Sequence, residues 1–156
     1  EEEMKGLAAE GAALRKELID SIQKDTESFT AYMNALGMPK NTDEEKAARK
    51  EAMQNGLKEA AEVPLAVAET ALKIFHVAGA VVERGNANAV TDGLVASMMA
   101  RTAVLSALLN VKINLGSIKD EEFVARMAAK VAEIEKAAMD GEKAVMELSA
   151  LTRDLV

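Results

Sequence analysis

Between Gly93 and Leu115 the chain carries only two charged residues, Arg101 and Lys112, and nearly every face of that segment is apolar. The periodicity predicts a helix, and a soluble helix that is hydrophobic all round must be wrapped by others. A small polar loop leads into it, Arg84-Gly85-Asn86-Ala87-Asn88-Ala89-Val90-Thr91-Asp92. The rest of the chain is therefore expected to pack around a central helix at about residues 92–115. That helix also carries Ser97, Thr102, Ser106, Asn110 and Asn114. The last four recur at every fourth position, a row that drifts slowly around one side. If the helix is buried, these amides and hydroxyls need partners, because unpaired buried polar groups cost stability. Neighbouring helices or a ligand must supply them.

Composition limits what surrounds that helix. At 156 residues the chain is one domain on size alone, large enough to bury roughly 70% of its unfolded surface. Many Ala, nine Met and 3% aromatic residues favour helices over strands. The absence of Cys removes disulfides, thiolate nucleophiles and thiolate zinc sites, and a single His removes multi-histidine metal sites. A net charge of −7 argues against bare nucleic acid or an anionic membrane as the main partner. The uncharged runs of the central helix read as too short and too polar for a membrane span. No signal peptide is visible at Glu1, and Glu1-Glu2-Glu3-Met4-Lys5 reads as the inside of a helix already under way. The expectation is a cytoplasmic, all-α single domain, residues 1–156, lacking its N-terminal segment.

In chain order, a first helix is expected over about Glu2 to Leu36, with an apolar stripe of Leu7, Leu14, Leu18, Ile22, Phe29, Met33 and Leu36. Asp25 falls on that stripe, an acid on a face expected to be core. Gly37 and Pro39 end the helix. Thr42-Asp43-Glu44-Glu45 has the capping-box pattern that starts the next one. Pro64 is expected to break or kink that helix near Val63, because it cannot donate its backbone bond. A third helix then runs from about Pro64 to Arg84. His76 on it has no second ligand in view and reads as structural. After the central helix and a short Gly116-Ser117 connection, a last helix starts near Asp120-Glu121-Glu122. Its seam is heptad-like: Val124, Met127, Val131, Ile134, Ala138, Gly141, Val145, Leu148, Thr152 and Leu155, with Gly141 and Thr152 as weak points. A first helix roughly 50 Å long exceeds the dimensions of a compact globule of about 15 Å radius of gyration. An elongated bundle of about five long helices around the central one follows, with side surface enough for a homodimer.

No phosphate-binding Gly-rich loop and no Ser/His/Asp arrangement is present. What remains is a polar set: Asp25, Lys40, Asn86, Asn88, Asp92, Asn110 and Asn114. Singly, Asn88 and Thr91 read as helix caps and Asn86 as a turn residue. Together they look like a site.

The order of several motifs sharpens this. Asp25-Thr26-Glu27-Ser28-Phe29 comes first, then Met38-Pro39-Lys40-Asn41-Thr42 with Glu44-Glu45-Lys46, and Ala60-Ala61-Glu62-Val63-Pro64-Leu65. Gly85-Asn86-Ala87-Asn88-Ala89-Val90-Thr91-Asp92 and Leu109-Asn110-Val111-Lys112-Ile113-Asn114-Leu115 follow. From about Leu14 to Phe123 this series resembles the cyclodeaminase/cyclohydrolase family, the C-terminal domain of formiminotransferase-cyclodeaminase. The resemblance implies an all-helical, dimeric folate enzyme without a metal. Family members usually carry an upstream Pro-Gly-Gly-Gly-Ser-like turn, and nothing in this sequence matches it.

The implied reaction is hydrolysis of 5,10-methenyltetrahydrofolate to 10-formyltetrahydrofolate. The alternative is the cyclodeaminase reaction, in which a folate nitrogen closes on a formimino carbon and ammonia leaves. Both pass through a tetrahedral carbon flanked by nitrogens and need proton shuttling rather than a covalent nucleophile. Asp25 and Asp92 are the acid/base candidates, able also to stabilise a cation. Lys40 is expected to hold an anionic part of the substrate, and Asn86, Asn88, Asn110 and Asn114 to read the pterin's donors and acceptors. No metal and no cofactor beyond the tetrahydrofolate substrate is expected. A further alternative is a non-catalytic helical dimerisation or folate-binding module. The missing transferase portion favours the stand-alone cyclohydrolase.

Overall fold

The computed structural model describes residues 2–155, Arg153 without its side chain. Five α-helices follow in chain order: α1 (Glu2–Leu36), α2 (Asp43–Leu72), α3 (Ile74–Arg84), α4 (Val90–Leu115) and α5 (Glu121–Glu147). Short 3-10 turns occupy Ala87–Ala89 and Arg153–Leu155, and no strand occurs among the described residues. The fold is an all-α bundle. Central α4 packs on α2, α3 and α5, while α1 lies on α2 and touches α3. The buried residues of α2 and α4 mix alanines, Ala61, Ala68 and Ala71 on α2 with Ala100 and Ala107 on α4, among larger side chains such as Leu65, Val104 and Leu108. Small residues at facing positions let the two helix axes come close.

The capping box forms: Thr42 Oγ1 accepts from the Glu45 amide at 3.2 Å, and Glu45 Oε2 accepts from the Thr42 amide at 3.2 Å. Asp120 starts α5 by accepting from the Phe123 amide. A hydrogen bond from Lys58, with the Phe123 amide second, holds its carboxyl below the usual range.

Pro64 does not break the second helix. α2 runs through it to Leu72, and the chain tightens only at Lys73 before α3. The reason lies elsewhere in the sequence. Proline at position 64 removes the amide that would bond the Ala60 carbonyl. Asn114 Nδ2, on α4, donates to that carbonyl at 2.8 Å. A side-chain donor replaces the missing backbone one, so the helix continues.

α1 also departs from expectation. Its buried positions are Leu7, Leu14, Ser28 and Ala35, a narrow seam with a seven-residue period. Gly56 of α2 lets it approach closely: a Cβ there would stand 3.0 Å from Tyr32 Cα. Of the stripe expected to be core, Leu7 and Leu14 are buried and Leu18 and Leu36 half-buried, but its middle faces outward, with Ile22 67% and Phe29 62% exposed and Met33 beside them. Asp25 is accordingly exposed, not set in the core.

Central α4 is wrapped on three sides, not all round. Leu94, Ser97, Val104, Leu108 and Val111 are buried, whereas Val95, Met99, Leu109 and Ile113 are exposed, Ile113 by 75%. Of the polar row, Thr102, Ser106 and Asn110 lie on or beside that open face, and Asn114 is half-buried. Ser97 alone is fully buried, and its hydroxyl donates to the Leu94 carbonyl at 2.7 Å.

In α5, Gly141 is a contact rather than a weak point. A Cβ there would meet the Phe75 ring at 2.8 Å, so the glycine makes room for α3. The helix ends at Glu147, before the predicted seam does. Thr152 is buried past that end and donates to the Met146 carbonyl at 2.7 Å, while Leu148 and Leu155 are exposed. By length and composition, Asp43–Arg84 and Ala87–Leu115 each contain a segment apolar enough to cross a membrane, at a mean hydropathy of 1.6. The reading of the central helix as too short and too polar for a span is thus corrected. Part of that apolar character belongs to the core, since 39% of each segment is buried inside the protein.

Candidate active site

Helices α1 and α4 both pack on α2 but make no contact with each other among the described residues. The gap between them is a groove with a volume of about 410 Å³, within the range of small-molecule sites. Pro64 and Val67 of α2 form its floor. Leu18, Ser21, Ile22, Asp25 and Thr26 of α1 make one wall, and Ala103, Ser106, Ala107 and Asn110 of α4 the other. The groove therefore brings together Asp25 and Asn110, two of the residues singled out from sequence.

Local folding explains how each is aimed. Ser28 is buried on the α1–α2 seam and donates to the Asp25 carbonyl at 2.9 Å. That leaves Asp25 on the flank of the seam, over the groove. Its carboxylate has no hydrogen-bond or ion-pair partner among the described residues, and it is the one ionisable group lining the groove. Asn110 Nδ2 donates to the Ser106 carbonyl at 3.1 Å, which leaves its amide oxygen free. Asn114 stands one turn further along α4. Its Nδ2 is engaged by the Ala60 carbonyl and, at 3.0 Å, by the Asn110 carbonyl.

The other sequence candidates lie elsewhere. Asp92 is in the first turn of α4, 18 residues before Asn110, or about 27 Å along the helix. It is exposed and without a partner among the described residues. Asn86 Oδ1 accepts from the Asn88 amide at 2.9 Å and shapes the 3-10 turn before α4, both side chains being exposed. Lys40 is exposed in the loop after α1. The end of α1 is 11 residues beyond Asp25, about 16 Å along the axis. His76 is 67% exposed with Nε2 3.9 Å from Glu10, away from the groove. No three His, Asp or Glu side chains gather as metal ligands among the described residues.

Three hydroxyls outside the polar set chosen from sequence also line the groove, Ser21, Thr26 and Ser106, the last noted only as part of the polar row on the central helix. Ser21 and Thr26 donate to the Glu17 and Ile22 carbonyls and keep acceptor lone pairs. Ser106 lies one turn before Asn110 on the same wall. Their signal was spacing for two of them, since Ser21 precedes Asp25 by four and Ser106 precedes Asn110 by four, while Thr26 adjoins Asp25 in sequence. The lining can hold a flat, largely apolar ligand, accept a proton at one carboxylate, and offer neutral donors and acceptors opposite.

Fold and groove together define an all-helical bundle with a groove of small-molecule size between two of its helices. A family model described as formiminotransferase-cyclodeaminase matches residues 1–133. The methenyltetrahydrofolate cyclohydrolase of Methylorubrum extorquens is 41% identical over 123 residues, 79% of this chain and 59% of that protein. The formimidoyltransferase-cyclodeaminase of Gallus gallus is 35% identical over 132 residues, 85% of this chain and 24% of that protein. The crystal structure of formiminotetrahydrofolate cyclodeaminase from Thermotoga maritima is similar with a TM-score of 0.77 at 28% identity, covering 92% of this chain and 66% of that one. The chain belongs to the formiminotransferase-cyclodeaminase family. It spans about three fifths of the cyclohydrolase and about a quarter of the bifunctional protein.

Proposed function

We propose that this chain forms the folate site of a one-carbon enzyme that hydrolyses 5,10-methenyltetrahydrofolate to 10-formyltetrahydrofolate. The observation that carries the reading is the similarity to the cyclohydrolase of Methylorubrum extorquens, whose matched part includes most of this chain. The groove is compatible with it. Water adding to the cationic methenyl carbon must lose a proton, and Asp25 is the one group there able to take it. The same carboxylate stabilises the cation as charge redistributes. The amide oxygen of Asn110 and the Ser106 hydroxyl offer neutral partners to the pterin edge. Lys40, beyond the end of α1, is within range of the glutamate tail of a folate lying along that helix. Asp92, Asn86 and Asn88 belong to the site only if folate extends well past the groove or a second copy closes it.

A second reading has its own support. The relative in Gallus gallus and the similar structure from Thermotoga maritima are both named as cyclodeaminases, so ring closure with loss of ammonia is the alternative reaction. The enzyme is read as a cytoplasmic homodimer with no metal and no membrane attachment. The open apolar face of α4 supports the dimer. The discriminating experiment offers purified chain both substrates, following methenyl loss by absorbance and ammonia release by a coupled assay. Methenyl hydrolysis above the uncatalysed rate, without ammonia release from the formimino substrate, is expected. Folate binding no tighter than that of an unrelated anion overturns the enzyme reading in favour of a helical dimerisation module.

A further inference from the structure

We propose that the groove selects its ligand by charge: Asp25 makes it a site for the delocalised amidinium cation, in preference to the neutral amide that hydrolysis makes from it. The inference rests on the folate reading above and adds what distinguishes substrate from product.

The groove walls are largely apolar, from Leu18, Ile22, Pro64, Val67, Ala103 and Ala107. Against them stands one carboxylate, Asp25, with no cation paired to it among the described residues. The other polar groups there, hydroxyls and the Asn110 amide, are neutral. The nearest lysine on the same helix, Lys24, lines an adjoining hollow that shares Ser21 with the groove. Glu17, Glu59 and Glu62 line that hollow with it, so carboxylates outnumber the cation. The α1–α2 side of the groove is thus net negative, and the α4 wall is neutral. A flat ligand filling the groove displaces water from around Asp25, and the charge interaction strengthens as the surroundings lose water.

A methenyl folate carries its positive charge across two nitrogens and the carbon between them. Hydrolysis adds water to that carbon, breaks one carbon–nitrogen bond and releases one proton, leaving a neutral formamide. Asp25 takes that proton and passes it on to solvent, so the positive charge departs with it and the carboxylate is left ionised. Asp25 then faces a carbonyl oxygen instead of a cation, a like-with-like contact that weakens product binding. Ring closure with loss of ammonia leaves the charge in place, because a protonated formimino group and the methenyl product are both cations. The same groove therefore lets go of the hydrolysis product and retains the deamination product. Charge selectivity fits the groove to hydrolysis.

The test compares 5,10-methenyltetrahydrofolate with 5-formyltetrahydrofolate, which shares the pterin and the anionic tail but is neutral at the reacting centre. Binding is followed by stopped-flow fluorescence at pH 6, within the first milliseconds, for the chain, for Asp25→Asn and for Asn110→Asp. The chain is expected to bind the cation about ten-fold tighter or more, a 1.4 kcal/mol preference. Asp25→Asn brings the ratio near one. Asn110→Asp, which adds a carboxylate on the opposite wall, raises it, and added salt lowers it. If both folates bind and the ratio is the same in Asp25→Asn as in the chain, charge selection by Asp25 is wrong while the folate site stands. If neither folate binds, the folate reading falls and this inference falls with it.

Discussion

Asp25 is where sequence and structure pull furthest apart. Its position between Ile22 and Phe29 suggested a carboxylate kept at a cost within the core. In the folded chain Ile22 and Phe29 are themselves exposed, and Asp25 overlooks a groove with no partner among the described residues. An exposed, unpaired carboxylate contributes little to folding. Asp25→Asn is expected to leave the melting temperature within the range of an ordinary surface substitution, about ±0.5 kcal/mol. Methenyl hydrolysis should fall by roughly 10²- to 10⁴-fold, the usual contribution of a general base. Melting curves and initial rates on one preparation check both. Normal turnover per folded molecule would remove Asp25 from the site. Asn114 shows the opposite logic. Sequence offered it as a ligand contact, and in the structure its amide nitrogen already serves two carbonyls, so only its oxygen is left for a ligand.

At the scale of helices, the pairing of Pro64 with Asn114 explains why a proline can sit in the middle of α2. Removing the side-chain donor leaves the half-buried Ala60 carbonyl without its bond, at a cost of up to about 1–3 kcal/mol. Asn114→Ala should be destabilised by that amount. Pro64→Ala in the same background returns a backbone donor and should recover much of the loss. A double-mutant cycle by chemical denaturation measures the coupling, and strict additivity would show that the two are independent. Gly141 makes a second such test. Alanine gains up to about 1 kcal/mol in helix propensity. Its methyl would press on the Phe75 ring, and overpacking costs typically about 1–3 kcal/mol. Gly141→Ala is therefore expected to lower stability on balance, read as a lower denaturation midpoint at unchanged slope. These cases mark what was legible in the sequence. Helix existence and starts were, because the capping box of Thr42 and Glu45 and the cap of Asp120 act within four residues. Helix α2 running through Pro64 was not, because its replacement donor lies fifty residues away. Nor was the inward face of α1, since periodicity reports a stripe but not whether this chain supplies what covers it. For the groove, Asp25 and Asn110 were found by residue type and Ser106 was noticed only as part of the polar row, while Ser21 and Thr26 were passed over because serines and threonines on a helix are unremarkable singly.

For the whole molecule, the outer face of α4 is apolar and uncovered among the described residues. Val95, Met99, Leu109 and Ile113 are exposed on one side of a helix whose other faces are core, and large apolar patches on soluble proteins usually mark an interface. Their spacing is symmetric about the midpoint between Thr102 and Ser106. In an antiparallel crossing of two copies there, Val95 meets Ile113 and Met99 meets Leu109. A two-fold interface demands such self-complementarity, because each residue's partner must itself face that residue's copy. The same face lies beside the Asn110 wall of the groove, so pairing would also shelter the site from solvent. The chain is expected to sediment at twice its monomer mass at micromolar concentration. A pair of like charges, Met99→Glu with Leu109→Glu, should shift it to monomer without loss of helical circular dichroism, because both side chains point away from the core. Turnover measured across the same dilution series then tells whether the groove works alone. A monomeric mass for the unsubstituted chain, or a dimer that survives both charges, would assign the open face of α4 to something other than a second copy.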